Sequence, residues 1–197
     1  LIYRGIRIEP LAEQAVFEET VHLLWYDALP TADQLASLRA ELGAEAGVPD
    51  ELWAVLRPLV KTSSLMDLLR TGISALSAFD PDVADTRDAT DPEVRAAANL
   101  RIAKRLMAKV GTVVAGAYRL MKGQEPLEPK AGLSLAGNFL FMVSGEEPGE
   151  YEERIFDAAL TLHADHGFNA STFSARVTAG TESDMYAPMP SAIRTLA

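Results

Sequence analysis

Residues 91–123 read DPEVRAAANLRIAKRLMAKVGTVVAGAYRLMKG, and this stretch decides the fold class. Asp91 before Pro92 makes an N-cap and first-turn pair. The carboxylate can accept from an orphan backbone N–H, and the N–H that proline lacks is not needed in the first turn. From there a helical pattern runs about 30 residues to Lys122 and Gly123, long for a globular helix. Gly111, followed by Thr112, Val113 and Val114, predicts a bend or break midway. Arg101, Lys104, Arg105 and Lys109 form a mixed helical face that reads as solvated rather than as a nucleic-acid surface.

Upstream, Ser64 can cap a helix from Leu65 to about Leu76. Its Leu65, Met66, Leu68, Leu69, Ile73 and Leu76 leave little polar face, which predicts burial on most sides. Gly72, Ser74 and Ala75 let another backbone approach closely. Between the two helices, Asp80-Pro-Asp-Val-Ala-Asp-Thr-Arg-Asp reads as an acidic solvated loop. Further back, Leu52, Val55, Leu56 and Leu59 mark a short helix after Pro49-Asp50. Thr31-Ala-Asp-Gln is a capping box opening a helix with Leu35, Leu38 and Leu42 that stops near Gly43. Phe17, Val21, Leu24 and Ala28 are an apolar helical row ending before Pro30. The alternation Ile6-Arg7-Ile8-Glu9 supports one short terminal strand.

Downstream come a loop at Gln124 to Gly132 and a helix from Leu135 to Ser144. A helix from Tyr151 to His163 follows, then a polar break at Asp165 to Asn169 and one or two helices from Ala170 onward. The fold class is therefore all-α, with at most a short amino-terminal strand.

The chain has 197 residues, which fits one domain or one plus an appendage. The absence of cysteine removes disulfide scaffolds, zinc–thiolate sites, iron–sulfur clusters and cysteine nucleophiles together. A net charge of −10 repels phosphate backbones, so nucleic acid is not an expected partner. No apolar run approaches the roughly 18 residues needed to cross a bilayer, so no membrane partner is expected either. A soluble cytoplasmic protein is the expectation. The first residue is Leu, and these residues are expected to be a piece of something longer.

There are three histidines: His22, His163 and His166. His22 lies beside an apolar row and reads as an ordinary helix residue. His163-Ala-Asp-His166 places two imidazoles near one face of a helix end. A metal site would need a third ligand at a diagnostic offset, and none is present, so no residue is assigned to metal. Gly167-Phe168-Asn169-Ala170-Ser171-Thr172 follows directly. Histidine, Asn169 and Ser171 at a junction of two helices suit a small anionic ligand, because a helix N-terminus offers free N–H groups. They equally suit a capped corner in which Asn169 and Ser171 satisfy only backbone groups. Both readings stay open on the residues alone.

At this corner the sequence resembles the citrate synthase family. His163-Ala-Asp-His-Gly-Phe-Asn-Ala-Ser-Thr-Phe, Ala175-Arg-Val and Ser183-Asp-Met-Tyr carry its most specific part. Tyr3-Arg-Gly, Ala28-Leu-Pro-Thr, Leu69-Arg-Thr-Gly-Ile-Ser-Ala-Leu, Ala103-Lys-Arg-Leu-Met-Ala-Lys, Ala117-Tyr-Arg, Leu133-Ser-Leu-Ala-Gly-Asn-Phe-Leu and Gly145-Glu-Glu-Pro extend the likeness over nearly the whole chain, in order.

The resemblance implies an acyltransferase of the tricarboxylic acid cycle that condenses acetyl-CoA with oxaloacetate to citrate and free CoA. It implies no cofactor beyond these small-molecule substrates. Residues 1–197 would be part of the large helical domain, with the small domain and the C-terminal part absent. His166 would hydrogen-bond oxaloacetate, Asn169 and Ser171 would line that pocket, and His163 would be structural. The helices near Leu65–Leu76 and Ala103–Met121 would form a homodimer interface. Family members continue past the equivalent of Ile193-Arg-Thr-Leu-Ala into Gly-Pro-Leu-His-Gly-Gly, so the catalytic histidine and aspartate are expected beyond Ala197. On that expectation the 197 residues contain no catalytic residue and are inactive alone. Two departures are Gly167, often acidic in the family, and Pro188-Met-Pro190, which puts the start of the last helix at Pro190. The Ala179-Gly-Thr and Ser183-Asp-Met-Tyr stretches lean toward a 2-methylcitrate synthase using propionyl-CoA. A non-catalytic helical dimerisation module derived from the family is the reading of another class.

Overall fold

The computed structural model describes residues 1–88, 90–165, 167 and 169–196, with Arg87 described by its backbone alone. Among these residues the chain is all-α, apart from a two-stranded antiparallel ladder of β1 (Ile2–Tyr3) and β2 (Ile6–Arg7). The order continues α1 (Ile8–Gln14), α2 (Phe17–Tyr26), α3 (Ala32–Glu45), α4 (Asp50–Leu56), α5 (Leu65–Leu76) and α6 (Val83–Asp88). It ends with α7 (Pro92–Met121), α8 (Leu135–Ser144), α9 (Glu150–His163), α10 (Ala170–Ala179) and α11 (Pro188–Leu196). The chain forms two compact units, Leu1–Glu45 with Glu128–His166 and Ala46–Leu127 with Gly167–Ala197.

In the first unit the expected single strand is a hairpin, and only Ile6 and Arg7 of the alternating stretch are extended. The two-residue turn puts Arg4 at φ 47° and Gly5 at φ 87°, a conformation glycine adopts without steric cost. Ile8 and Glu9 already belong to α1. The core here is Tyr3, Ile8, Leu11, Ala15 and Leu23. The Thr31–Gln34 box forms as the sequence predicts: the Thr31 N–H donates to Gln34 Oε1 at 2.8 Å, and the Gln34 N–H to Thr31 Oγ1 at 3.3 Å. Helix α3 runs two residues past Gly43, whose position has open space around it.

The second unit is built on α5 and α7 around Leu52, Trp53, Leu56, Leu68, Ile73, Leu76, Ile102, Leu106 and Val113. Ser64 and Asp91 cap these helices, accepting from the N–H groups of Asp67 and Glu93. Helix α7 is unbroken through Gly111, contrary to the expected break, because packing on both sides of that residue outweighs glycine's helix penalty of about 1 kcal/mol. The small residues do permit close approach. A Cβ on Gly72 would sit 2.7 Å from the Val113 side chain, and one on Gly116 would sit 2.2 Å from the Trp53 ring. Helix α5 packs against α4, α7 and α11, as its scarce polar face predicts: Leu68, Gly72, Ile73 and Leu76 are buried, and the half-buried Leu65 and Leu69 pack on the same core.

The acidic loop is the main correction. Asp80 and Asp82 are not solvated; their carboxylates are almost wholly buried, and Val83–Asp88 is a helical turn. The cause lies on α7, where the half-exposed Arg101 and the largely buried Arg105 supply cations to them.

Candidate functional site

Of the candidate residues, His163 belongs to the first unit, and Asn169 and Ser171 belong to the second. On the first side stands the end of α9. His163 is exposed, and its Nδ1 lies 2.7 Å from the carbonyl of Ala159, so the imidazole closes its own helix's last turn. The chain beyond it is held by Tyr3, 1% exposed. The Tyr3 hydroxyl donates to the Asp165 carbonyl at 2.8 Å, accepts from the Asp165 N–H at 3.1 Å, and lies 3.2 Å from the Thr161 carbonyl. A residue 162 positions away thus fixes the backbone that leads into the polar break. Periodicity carries no signal for such a pairing. His166, the expected oxaloacetate contact, lies outside the described residues.

The polar face of α9 orders the rest of this unit. Asp157, 4% exposed, accepts from the N–H of Phe17 at 2.9 Å and so caps α2. Arg154 donates to the carbonyls of Ala15 at 2.6 Å and Ala12 at 2.8 Å, at the end of α1. Thr161 and Thr20 are buried with their hydroxyls 3.5 Å apart. Glu18, 1% exposed, accepts from the N–H of Leu135 at 2.9 Å, at the start of α8. Burial pushes the Asp157 carboxyl above its usual value, aided by the charge of Glu18 and opposed by the Phe17 N–H and Arg154.

On the second side stands the start of α10. Gly167 has φ +73°, a left-handed turn that glycine accommodates. Asn169 is the N-cap: its Oδ1 accepts from the Thr172 N–H at 2.6 Å. Ser171 is half-buried in the first helical turn. The amide oxygen of Asn169 is therefore committed to the helix. Ser174 and Ser191 join α10 to α11 through hydroxyls 2.6 Å apart.

The same unit holds a second polar constellation that sequence reading missed. Arg105 donates to Asp80 at 2.6 and 2.8 Å and also binds Asp82. Arg101 grips Asp82 through Nε at 3.1 Å and Nη2 at 2.5 Å. The Tyr186 hydroxyl donates to Asp80 at 2.8 Å. Arg101 and Arg105 hold the Asp82 carboxyl down at about 2 against the opposing effect of burial. At Asp80 burial opposes the charge most strongly, yet Arg105, the Asp82 N–H and Tyr186 together hold its carboxyl below the ordinary value. Burial and the Asp80 bond push the Tyr186 phenol well above its usual range. Four charges balance two against two, and the arrangement ties the segment before α11 to α7 rather than offering a proton to a substrate.

The family profile described as citrate synthase, C-terminal domain, matches residues 1–197. The chain belongs to the citrate synthase family. A citrate synthase of Haloferax volcanii is 48% identical over 197 residues, covering 100% of this chain and 51% of that protein. A 2-methylcitrate synthase of Mycobacterium tuberculosis is 40% identical over 196 residues, covering 100% of this chain and 47% of that protein. The crystal structure of citrate synthase from Pyrobaculum aerophilum superimposes with a TM-score of 0.91 at 37% identity, covering 98% of this chain and 48% of that one. The chain thus spans about half the length of the curated relatives it matches. The His163–Phe173 motif was legible from sequence. The Tyr3 anchor and the Asp80–Arg105 latch were not, since each joins residues distant in the chain.

Proposed function

We propose that this chain is the oxaloacetate-contacting part of a condensing enzyme that joins acetyl-CoA to oxaloacetate, giving citrate and CoA. The observation that carries the reading is the unbroken match to citrate synthases over all 197 residues, including the His163–Phe173 stretch. In this reading His166 hydrogen-bonds oxaloacetate, the Asn169 amide nitrogen and the Ser171 hydroxyl line its pocket, and His163 serves the helix end. The cap supports this division, because it uses only Asn169 Oδ1 and leaves ligand contact to the amide nitrogen. Acyl-CoA and oxaloacetate are the partners, with no cofactor, and a second copy of the chain packs on α5 and α7. The half-buried Met66 on α5 supports that second copy.

The condensation requires a base to take a proton from the thioester methyl, a donor to the enol oxygen, and water to release CoA. His22 has its Nδ1 2.8 Å from the Ala28 carbonyl, and His163 closes its own helix, so both are read as structural, and the resemblance puts the enol donor beyond Ala197. We therefore expect residues 1–197 alone to release no CoA. The second reading, 2-methylcitrate synthesis from propionyl-CoA, is favoured by the Mycobacterium tuberculosis relative at 40% identity. The test is a chimera in which these residues replace the matched span of the Pyrobaculum aerophilum enzyme. Release of CoA thiol from acetyl-CoA and oxaloacetate, with His166→Ala raising the oxaloacetate KM about tenfold or more, supports the reading. An active chimera indifferent to His166→Ala refutes the site, and a preference for propionyl-CoA selects the second reading.

A further inference from the structure

Helix α9 ends without the usual local stop. Helices commonly close on a left-handed residue, most often glycine. Here the C-cap is Ala164, right-handed at φ −63° and ψ −36°, with its N–H on the Thr161 carbonyl at 3.3 Å. A group from outside the helix takes over at that point. The Tyr3 hydroxyl oxygen lies 3.2 Å from the Thr161 carbonyl and holds both the C=O and the N–H of Asp165, at 2.8 and 3.1 Å. A phenol has one proton and two lone pairs, so it can donate to the nearer Asp165 carbonyl while accepting from the Asp165 N–H. With both of its polar backbone groups on one atom, Asp165 has little freedom in φ and ψ. A peptide group is planar, so fixing the Asp165 carbonyl also fixes the direction in which the chain continues.

The atom that does this is itself held. Tyr3 is 1% exposed and pairs with Ile6 across the β1–β2 ladder, which the Ile8 N–H closes on the Leu1 carbonyl at 3.1 Å. It shares a core with Ile8, Leu11, Ala15 and Leu23, and Ala164 at the helix end packs on the same residues. Burying a hydroxyl costs free energy unless it is bonded, and phenylalanine would fill this space without that demand. The use of the oxygen is therefore the backbone it grips.

We infer that Tyr3 is a positioning residue for substrate binding: through the Asp165 backbone its hydroxyl sets the placement of the next residue, His166, toward oxaloacetate. The inference rests on the proposed assignment of His166 to that substrate, and Tyr3 itself touches no substrate in it. A misplacement of about 1 Å in a substrate-positioning group can cost on the order of a hundredfold. Loss of the hydroxyl alone, with the ring still packed, should cost a fraction of that.

The test is steady-state kinetics of the chimera carrying Tyr3→Phe, which keeps the ring and removes the oxygen. Expected is an oxaloacetate KM raised about threefold or more, with the acetyl-CoA KM at saturating oxaloacetate within about twofold of the parent. In a His166→Ala background the same substitution should add less than about twofold, because the contact it positions is already gone. Thr20→Val is the structural control. It removes another buried hydroxyl against α9, 3.5 Å from that of Thr161, and should leave the oxaloacetate KM unchanged. Gly43→Ala, at a position with open space, supplies a stabilised background if Tyr3→Phe folds poorly. Where the chimera binds oxaloacetate without turnover, the same comparisons are made on its Kd by calorimetry. An oxaloacetate KM that rises less than threefold with Tyr3→Phe, rises equally with Thr20→Val, or rises as much without His166 overturns the inference and leaves the functional reading standing. A chimera that neither releases CoA nor binds oxaloacetate, or that ignores His166→Ala, overturns the functional reading, and the inference falls with it.

Discussion

Replacing Arg105 with Met removes the cation bonded to Asp80 among the described residues while keeping most of the side-chain volume. Asp80, with its side chain 1% exposed, would keep two neutral donors among the described residues, the Tyr186 hydroxyl and the Asp82 N–H. Asp82 would keep Arg101. A buried carboxylate stripped of its cation costs about 3–5 kcal/mol, far more than the ~0–1 kcal/mol of an exposed ion pair. The measurement is urea unfolding at pH 7, followed by Trp53 fluorescence in a Trp25→Phe background, because Trp53 lies in the same core as α7. Adding Asp80→Asn should restore at least about 1–2 kcal/mol by removing the uncompensated charge. The pH dependence follows with a definite sign. In the parent chain the Asp80 carboxyl is held below its unfolded value, so its contribution is present above about pH 4 and is lost on acidification. In Arg105→Met only burial and two neutral donors remain, the folded pKa rises above the unfolded one, and the penalty grows as pH rises. The gap between parent and variant therefore shrinks from pH 7 toward pH 4. A loss under about 1 kcal/mol, or one independent of pH, would refute the reasoning and make this a surface pair.

Gly116→Ala would push a methyl to 2.2 Å from the Trp53 ring and should cost about 1–3 kcal/mol, whereas Gly43→Ala, with open space, should stabilise α3 by about 0.5–1 kcal/mol; chemical denaturation separates them. Asp82, held at about 2, contributes stability that is present above pH 4 and lost as pH falls from about 4 to 2. About 1 kcal/mol should go in an acid titration, after allowance for screening at half-exposed Arg101, and Asp82→Asn should abolish that step. Tyr3→Phe should cost about 1 kcal/mol and speed hydrogen exchange at the Asp165 amide, while leaving exchange within α7 unchanged.

The sequence by itself determined most of the helices, though not α1 and α6, because their signals are local. Ser64, Asp91, Ser134 and Asn169 each stand where a short polar side chain can satisfy a nearby N–H, and each caps the helix that follows. Apolar spacing placed α7 and α8 within a residue of their observed bounds, and the His163–Phe173 motif pointed to the family. Tertiary structure alone decided which charges meet water. Asp80 and Asp82 look solvated until α7 brings Arg101 and Arg105 to them, and α9 hides its polar side until the ends of α1 and α2 present bare N–H and C=O groups to it. Burial of a charge depends on partners distant in sequence, and only the folded chain brings those within hydrogen-bond reach.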